Sequence, residues 1–385
     1  MTTDPYFVYL LDPSYFSGKL EAYLRYKNIP YRRIETTWRR MGREVLPHTG
    51  LMKVPVVLTP QDQWLQDTTP MIDWFEERYS LGAVLPPDPY QAFFCRLLED
   101  YADEWLWRPA LHYRWSYTAD ARLLSRRIAE ESLYDTPAPG FVLRWMLRRR
   151  QMREYVRGDG VTRRTRAHVE TVYFNTLDRL ERLLADRPFL LGGRPCLADF
   201  GFFASMFRHF SLDPTPSRIM REMAPGVYAW VARMWNADCL ETADDDSGWP
   251  AAGTIPGQWQ EFLADMATGY LEYLDANALA WRDGKRRMDV TLQGVDYRRL
   301  PVVHYRVWCR ERLQQHLAAL PAEAGQAVRA TMEEWGALEP LMRSGEIASH
   351  LHDGAEPPLC VAPEKTRFLE RYAVYWPGWN KAGRG

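Results

Sequence analysis

The first eighty residues alternate between strand and helix patterns, and this alternation constrains the fold more than any other feature of the chain. Residues 6–11 are continuously apolar or aromatic and end just before Pro13, which predicts a strand buried on both faces. Helical spacing of apolar residues begins after Ser14 and is interrupted at Pro30. The chain therefore opens with a strand followed directly by a helix.

Further strands and helices follow in the same unit. Residues 31–35 predict a second strand, and residues 38–46 predict a short Arg-rich helix. Residues 55–59 and 64–65 predict a β-hairpin, and a last helix begins at Thr69, where a proline takes the first helical position. In the resulting order, βαβαββα, a parallel half joins an antiparallel hairpin with helices packed on it. This is the layout of the thioredoxin-like fold.

The rest of the chain divides at two points. With 385 residues the chain exceeds what one hydrophobic core usually serves. A proline-rich run at residues 85–89 ends the first domain, residues 1–84, and residues 90–240 show helical patterns with no convincing strand. Turn-forming residues then separate a C-terminal extension, residues 250–385, which is predicted to be mostly helical with a possible hairpin around Gly294. The role of this extension is not readable from its sequence.

Composition argues against several classes of protein. The net charge of −1 gives no long-range field that would attract nucleic acid or anionic lipid. No apolar stretch approaches the roughly 18–20 residues that cross a bilayer, and no basic segment with an apolar run opens the chain, so we expect a cytoplasmic protein without nucleic-acid or membrane partners. The five cysteines are scattered without a close pair, and His350 and His352 have no further ligand nearby, so neither disulfides nor a metal site are expected.

Three short motifs in the first domain carry a family resemblance. Ser14 stands five residues before Lys19, a Val54-Pro55 pair precedes the hairpin, and Asp67-Thr68 follows it. In this order and spacing the sequence resembles the glutathione transferase superfamily. The resemblance implies that Ser14 faces the thiol of glutathione, that Val54-Pro55 is a cis peptide pairing with the cysteinyl part, and that Asp67-Thr68 binds the γ-glutamyl group.

A further likeness lies in the second domain, where residues 189–193 and 196–200 correspond to the family's buried helix-capping box. That box normally begins with Ser or Thr, whereas here Cys196 stands in its place. Since a Cys sulfur is a weak acceptor, Asp199 should carry most of the cap. The resemblance covers residues 6–86 well and 90–240 more loosely, and the extension has no counterpart in ordinary transferases.

The residues themselves suit this chemistry. An ordinary thiol has a pKa near 8.5, so a site must stabilise the thiolate, which is the nucleophile. A serine hydroxyl at a helix N-terminus does so by hydrogen bonding and through the helix dipole, and lowering the pKa by about two units takes roughly 2.7 kcal/mol. Ser14 could instead only cap the helix, with Ser17 and Tyr15 as rival hydroxyls, and Asp67-Thr68 could be only a helix start.

Other site residues are less constrained. Lys53, with Arg39 or Arg40, could meet the glycine carboxylate of glutathione, although exposed basic residues are more often solvated. From an aromatic cluster after the proline run we assign Trp105 and Tyr113 to a second-substrate pocket, although aromatics at helical spacing also suit a core.

The sequence therefore predicts a glutathione transferase-like enzyme, with glutathione as co-substrate and no metal. The thiolate of glutathione would attack an electrophilic, apolar or aromatic small molecule. The alternative is a non-catalytic protein that binds glutathione or a hydrophobic ligand on the same scaffold. The resemblance also implies a homodimer, and the extension is expected to pack against the helical domain and narrow the second pocket.

Overall fold

The N-terminal sheet joins a parallel half to an antiparallel hairpin, as predicted. The computed structural model describes residues 4–241 and 248–362. Its first sheet contains four strands: β1 (Tyr6–Leu10), β2 (Tyr31–Glu35), β3 (Val56–Leu58) and β4 (Trp64–Gln66). They lie in the order β2-β1-β3-β4, with β1 parallel to β2 and antiparallel to β3, and β3 antiparallel to β4. This mixed sheet confirms the thioredoxin-like prediction.

Four helices complete this unit: α1 (Tyr15–Tyr26), α2 (Trp38–Arg40), α3 (Leu46–Thr49) and α4 (Thr68–Glu76). A π-helical segment, Met41–Val45, joins α2 to α3. The inner face of α1 is closed by side chains that are fully buried, among them Leu20, Tyr23 and Leu24. Burial of these side chains fixes α1 on the sheet and so fixes its N-terminus beyond the end of β1.

The second part of the chain is all-helical, as predicted. Its helices are α5 (Pro89–Glu104), α6 (Trp107–Ser116), α7 (Thr118–Ser132), α8 (Gly140–Gln151), α9 (Arg166–Leu183), α10 (Leu197–Ser205), α11 (Pro214–Met223) and α12 (Pro225–Asn236). Two π-helical segments, Met152–Arg157 and Met206–Ser211, extend α8 and α10. In the described part of the chain, none of these or the later helices is both long and apolar enough to cross a bilayer.

The buried start of α10 shows how the sequence compensates for its unusual capping residue. Asp199 accepts hydrogen bonds from the backbone N–H groups of Cys196 and Leu190 and from the indole N–H of Trp230, each at 3.0 Å. The thiol of Cys196 lies 3.1 Å from the same carboxylate and donates to it. Burial raises the pKa of Asp199 to about 6, although these donors favour the charged form. One carboxylate thus organises the cap, as the sequence predicts.

The extension contains helices and one hairpin. Its elements are α13 (Gly257–Thr268), α14 (Tyr270–Arg282), β5 (Arg287–Leu292), β6 (Val295–Pro301), α15 (His304–Ala318), α16 (Ala322–Glu334) and α17 (Leu338–Met342). Its aromatic side chains enter the helical body: Tyr101 of α5 packs edge-on against Phe262 and Tyr270 at centroid distances of 6.1 and 5.8 Å. One continuous buried cluster therefore runs from the N-terminal sheet through the helical body into the extension.

Candidate functional site

The three predicted motifs lie together beyond one end of the strands of the first sheet, which we call the site edge. In the strand register Tyr9 of β1 lies opposite Val56 of β3, and Val56 lies opposite Gln66 of β4. Ser14 follows the end of β1, Pro55 immediately precedes β3, and Asp67 immediately follows β4. In an antiparallel pair one strand begins beside the point where the other ends. Residues distant in sequence therefore lie together at this edge.

Ser14 is the N-cap of α1 and is partly exposed. Its hydroxyl oxygen accepts a hydrogen bond from the backbone N–H of Ser17 at 3.3 Å. A serine hydroxyl has one proton in addition to its lone pairs, so this cap leaves the proton of Ser14 available to a ligand. The capping and thiol-binding roles are therefore compatible in this geometry.

The rival hydroxyls are committed elsewhere. Ser17 is 1% exposed, and its oxygen accepts from the backbone N–H of Leu11 at 3.3 Å rather than facing solvent. Tyr15 is 2% exposed, and its hydroxyl donates to the backbone oxygen of Ala102 at 2.5 Å. Of the three candidates, Ser14 alone combines partial exposure with the end of β1.

The segment before β3 has the predicted backbone form. The Val54-Pro55 peptide bond is cis. Val54 is half-buried while the side chain of Lys53 is exposed. The backbone oxygen of Lys53 accepts a hydrogen bond from the side-chain amide of Gln66 at 3.1 Å. This bond ties the approach to β3 to the end of β4. Contact between Lys53 and a glycine carboxylate stays a prediction.

Asp67 has an unusual backbone. Its φ of 80° lies in a region that non-glycine residues avoid, and such residues cluster at ligand-binding positions. Although Asp67 is the N-cap of α4, its side chain makes no capping hydrogen bond. Its Oδ1 instead accepts from the hydroxyl of Tyr305, on α15, at 3.1 Å. Burial raises the pKa of Asp67 to about 6, while the Tyr305 hydrogen bond and the charge of Arg312 oppose this rise.

The extension also pairs with β4, the strand that ends just before Asp67. Leu359 forms an antiparallel bridge with Leu65 of β4. On either side of this bridge, the backbone N–H of Gln66 donates to the backbone oxygen of Pro358 at 3.0 Å, and that of Cys360 donates to the backbone oxygen of Trp64 at 2.8 Å. A segment about 300 residues away in sequence therefore covers the outer edge of β4. Motif spacing within the first domain contains no signal for this contact.

Comparison with known proteins identifies the family. Residues 13–78 match the model for the glutathione S-transferase N-terminal domain, and residues 160–238 match the model for the C-terminal domain. The chain therefore carries both domains that are typical of the glutathione S-transferase superfamily. Glutathione S-transferase U2 of Arabidopsis thaliana is 25% identical over 89 residues, which are 23% of this chain and 40% of that protein. The match thus spans less than half of that relative's length.

Several solved structures are similar to part of this chain at low sequence identity. A glutathione S-transferase from Methylobacterium radiotolerans, in complex with glutathione sulfonate, is 20% identical with a TM-score of 0.37, over 66% of this chain and 98% of that one. The beta-etherase LigF from a Sphingobium strain is 19% identical with a TM-score of 0.44, over 60% of this chain and 95% of that one. The two domain matches, rather than these likenesses, carry the assignment to the family.

Lys19 lies in a buried network of charged side chains. Its ammonium group is fully buried and pairs with Glu99 and Asp103 of α5, and it lies 3.4 Å from the hydroxyl of Thr69 at the start of α4. Burial lowers the pKa of Lys19, but the charges of Asp103 and Glu99 more than offset this and hold it above its usual value. The motif residue therefore ties α1 to the helical body.

The two aromatic residues that were predicted to line a second-substrate pocket are buried. Trp105 and Tyr113 are 3% and 1% exposed and lie inside the core, so their contact with a second substrate stays a prediction. Trp107 is half-buried and stacks on Phe16, two residues after Ser14, at a centroid distance of 6.2 Å. Tyr155 packs edge-on against Trp107 at 5.9 Å. Sequence reasoning missed Phe16 and Tyr155, because nothing in the pattern showed that α1 and the π-helical segment after α8 both pack against Trp107.

Proposed function

We propose that this transferase binds glutathione and activates its thiol with Ser14 for attack on an electrophilic aromatic or apolar small molecule. The observation that carries the proposal is the convergence of Ser14, the cis Val54-Pro55 peptide and Asp67-Thr68 at one edge of the sheet. Together they offer a hydroxyl donor for a thiolate, a cis peptide to pair with the cysteinyl unit and a carboxylate for an ammonium group. Such an arrangement suits the thiol, the cysteinyl backbone and the ammonium group of glutathione.

Two features of the protein would stabilise the thiolate of glutathione. The Ser14 hydroxyl would donate to the sulfur from the N-terminus of α1, where the helix dipole also favours negative charge. The thiol proton would leave to solvent, and the thiolate sulfur would attack the electrophilic carbon. With an activated aromatic halide, a carbon–sulfur bond forms and the carbon–halogen bond breaks, so that halide leaves with the bonding electron pair. The half-buried stack of Phe16 and Trp107 near this hydroxyl supports an aromatic or apolar substrate.

Replacement of Ser14 by alanine tests this activation. In Ser14→Ala we expect the pKa of bound glutathione to rise by about one unit or more, roughly 1.4 kcal/mol, because the sulfur loses its donor. Glutathione affinity should change much less, since the backbone at Pro55 and the carboxylate of Asp67 supply most contacts. The ultraviolet absorbance of the bound thiolate, titrated against pH, measures the shift.

Ser17→Ala is the control, because the hydroxyl of Ser17 is buried and bonded to Leu11. Its bound thiol should titrate as in the wild type. An unshifted pKa in Ser14→Ala would refute the assignment of the activating hydroxyl.

The second candidate is a non-catalytic protein that binds glutathione or a hydrophobic ligand. The closeness of Tyr305 and Leu359 to the site favours it, since they restrict the space around Asp67 and β4. Calorimetric titration with glutathione, followed by an assay of conjugation to an activated aromatic halide, separates the two. Binding without conjugation of any electrophile in a broad panel would support the binding protein.

We also propose a homodimer, on the basis of the family resemblance. Each chain has a mass of 45.1 kDa, so light scattering at micromolar concentration should give twice this mass. A mass near that of one chain would refute dimerisation.

A further inference from the structure

We infer that the C-terminal extension completes the γ-glutamyl end of the proposed glutathione site, with Tyr305 holding the Asp67 carboxylate toward the ligand's ammonium group. This inference rests on the proposed function and gives a role to a segment without a counterpart in ordinary transferases. Tyr305 acts through Asp67 and is therefore a positioning residue.

The first argument is the orientation of Asp67. A carboxylate at a helix N-cap ordinarily accepts from backbone N–H groups of the first turn, which is its most favourable local use. Asp67 does not do so, and its backbone adopts a φ of 80°. Within residues 4–241 and 248–362, Tyr305 is the side chain that donates to it, at 3.1 Å. The extension thus fixes a carboxylate that the local helix leaves unused.

The second argument is the anchoring of Tyr305 itself. Two other residues of α15 pair with the rest of the chain: Arg312 with Asp73 of α4, and Arg306 with Glu104 of α5 at 2.7 Å. Beyond α15, Leu359 bridges β4 beside Asp67. Because these arginines hold α15 against both α4 and α5, the Tyr305 hydroxyl keeps a fixed position without a ligand.

The third argument is charge. Titratable groups that act on Asp67 come from several elements: Lys19 of α1, Glu99 of α5, Tyr305, Cys309 and Arg312 of α15, and Cys360 beside β4. Burial raises the pKa of Asp67 to about 6, with the Tyr305 hydrogen bond as the leading opposing effect. At pH 7 the carboxylate is therefore mostly ionised and can bind an ammonium group.

The sign of the expected pH dependence follows. Glutathione affinity should fall as the pH drops through about 6, because Asp67 takes up a proton and no longer attracts the ammonium group. In Tyr305→Phe the lowering hydrogen bond is lost, so this midpoint should move up by about half a unit or more. At pH 7 affinity should fall about three- to tenfold, the range expected for loss of one ordinary hydrogen bond.

Titration calorimetry on the full chain between pH 5 and 8 tests the inference. The ligands are glutathione and an N-acetylated glutathione that lacks the ammonium group, and Tyr305→Phe should change only the affinity for the first. Tyr90→Phe is a matched control, since it removes a hydroxyl that bonds Thr331 of the extension at 2.9 Å, away from Asp67. This control should leave both affinities and the midpoint unchanged.

Asp67→Asn keeps the test decisive should Tyr305→Phe fold poorly. It should abolish the pH dependence, and adding Tyr305→Phe should weaken binding little further, because the tyrosine acts through the carboxylate. Wild-type binding with an unchanged midpoint in Tyr305→Phe, or effects of the two substitutions that simply add, would overturn the inference alone. A wild-type chain that binds no glutathione at any pH would overturn the proposed function and this inference together.

Discussion

A chain shortened to end at Leu240 should lose its cooperative fold. The extension buries large side chains in the helical body, including Trp259, Phe262, Met266 and Tyr270, each at most 1% exposed. At about 1.5–3 kcal/mol for each large apolar side chain, their loss amounts to roughly 10 kcal/mol. This is comparable to the total stability of about 5–15 kcal/mol of a typical protein. Thermal unfolding followed by near-ultraviolet circular dichroism measures the effect.

Two tryptophan substitutions provide a matched control for this prediction. Trp259 is 1% exposed and donates to the backbone oxygen of Leu190 at 3.0 Å, so Trp259→Ala should cost about 3–5 kcal/mol. Trp145 is 53% exposed, and Trp145→Ala should change stability by about 0.5 kcal/mol or less. A shortened chain that unfolds cooperatively at the wild-type temperature would show that the extension is an independent domain.

Replacement of Lys19 by methionine should destabilise the protein by about 3–5 kcal/mol, because Glu99 and Asp103 would be left buried without their cation. Burial already raises the pKa of Asp103. In the variant no cation opposes this rise, so the folded state binds a proton more readily than the unfolded state. The loss of stability should therefore shrink as the pH falls from 7 toward 5. Urea unfolding at several pH values measures both effects.

An exposed pair gives the comparison. Lys285 lies 2.9 Å from Asp283 and is largely solvent-exposed, so Lys285→Met should cost less than about 1 kcal/mol at any of these pH values. Adding Glu99→Gln and Asp103→Asn to Lys19→Met should restore part of the lost stability, because neutral groups are less costly to bury. A loss for Lys19→Met no greater than that for Lys285→Met would contradict the structural role of this lysine.

The buried lysine also bears on the site. Its contact with Thr69 links α1, which begins after Ser14, to α4, which begins after Asp67. Loss of the Lys19 ammonium group should therefore disturb the starts of both α1 and α4. Sequence spacing placed Lys19 in a family motif, but its buried partners on α5 are about eighty residues away and have no local signature.

Local patterns were sufficient for much of this protein. Strand and helix periodicity in residues 6–76 predicts the order of the first domain, because each element there has a distinct apolar repeat and the turns contain proline or glycine. The cap on α10 also follows from sequence, since a buried N-cap cysteine requires another acceptor and Asp199 stands three residues on. These features depend on interactions between residues close along the chain.

The tertiary structure alone decided how the candidate site is enclosed. Tyr305 reaches Asp67 across 238 residues, and Leu359 pairs with β4 across a still longer separation. The stacking of Phe16 on Trp107 likewise depends on how two domains pack. Such contacts are selected by shape and burial over the whole chain, so periodicity gives no information about them. The sequence by itself determined the elements and the edge at which the motifs meet, whereas packing of the extension determined what surrounds that edge.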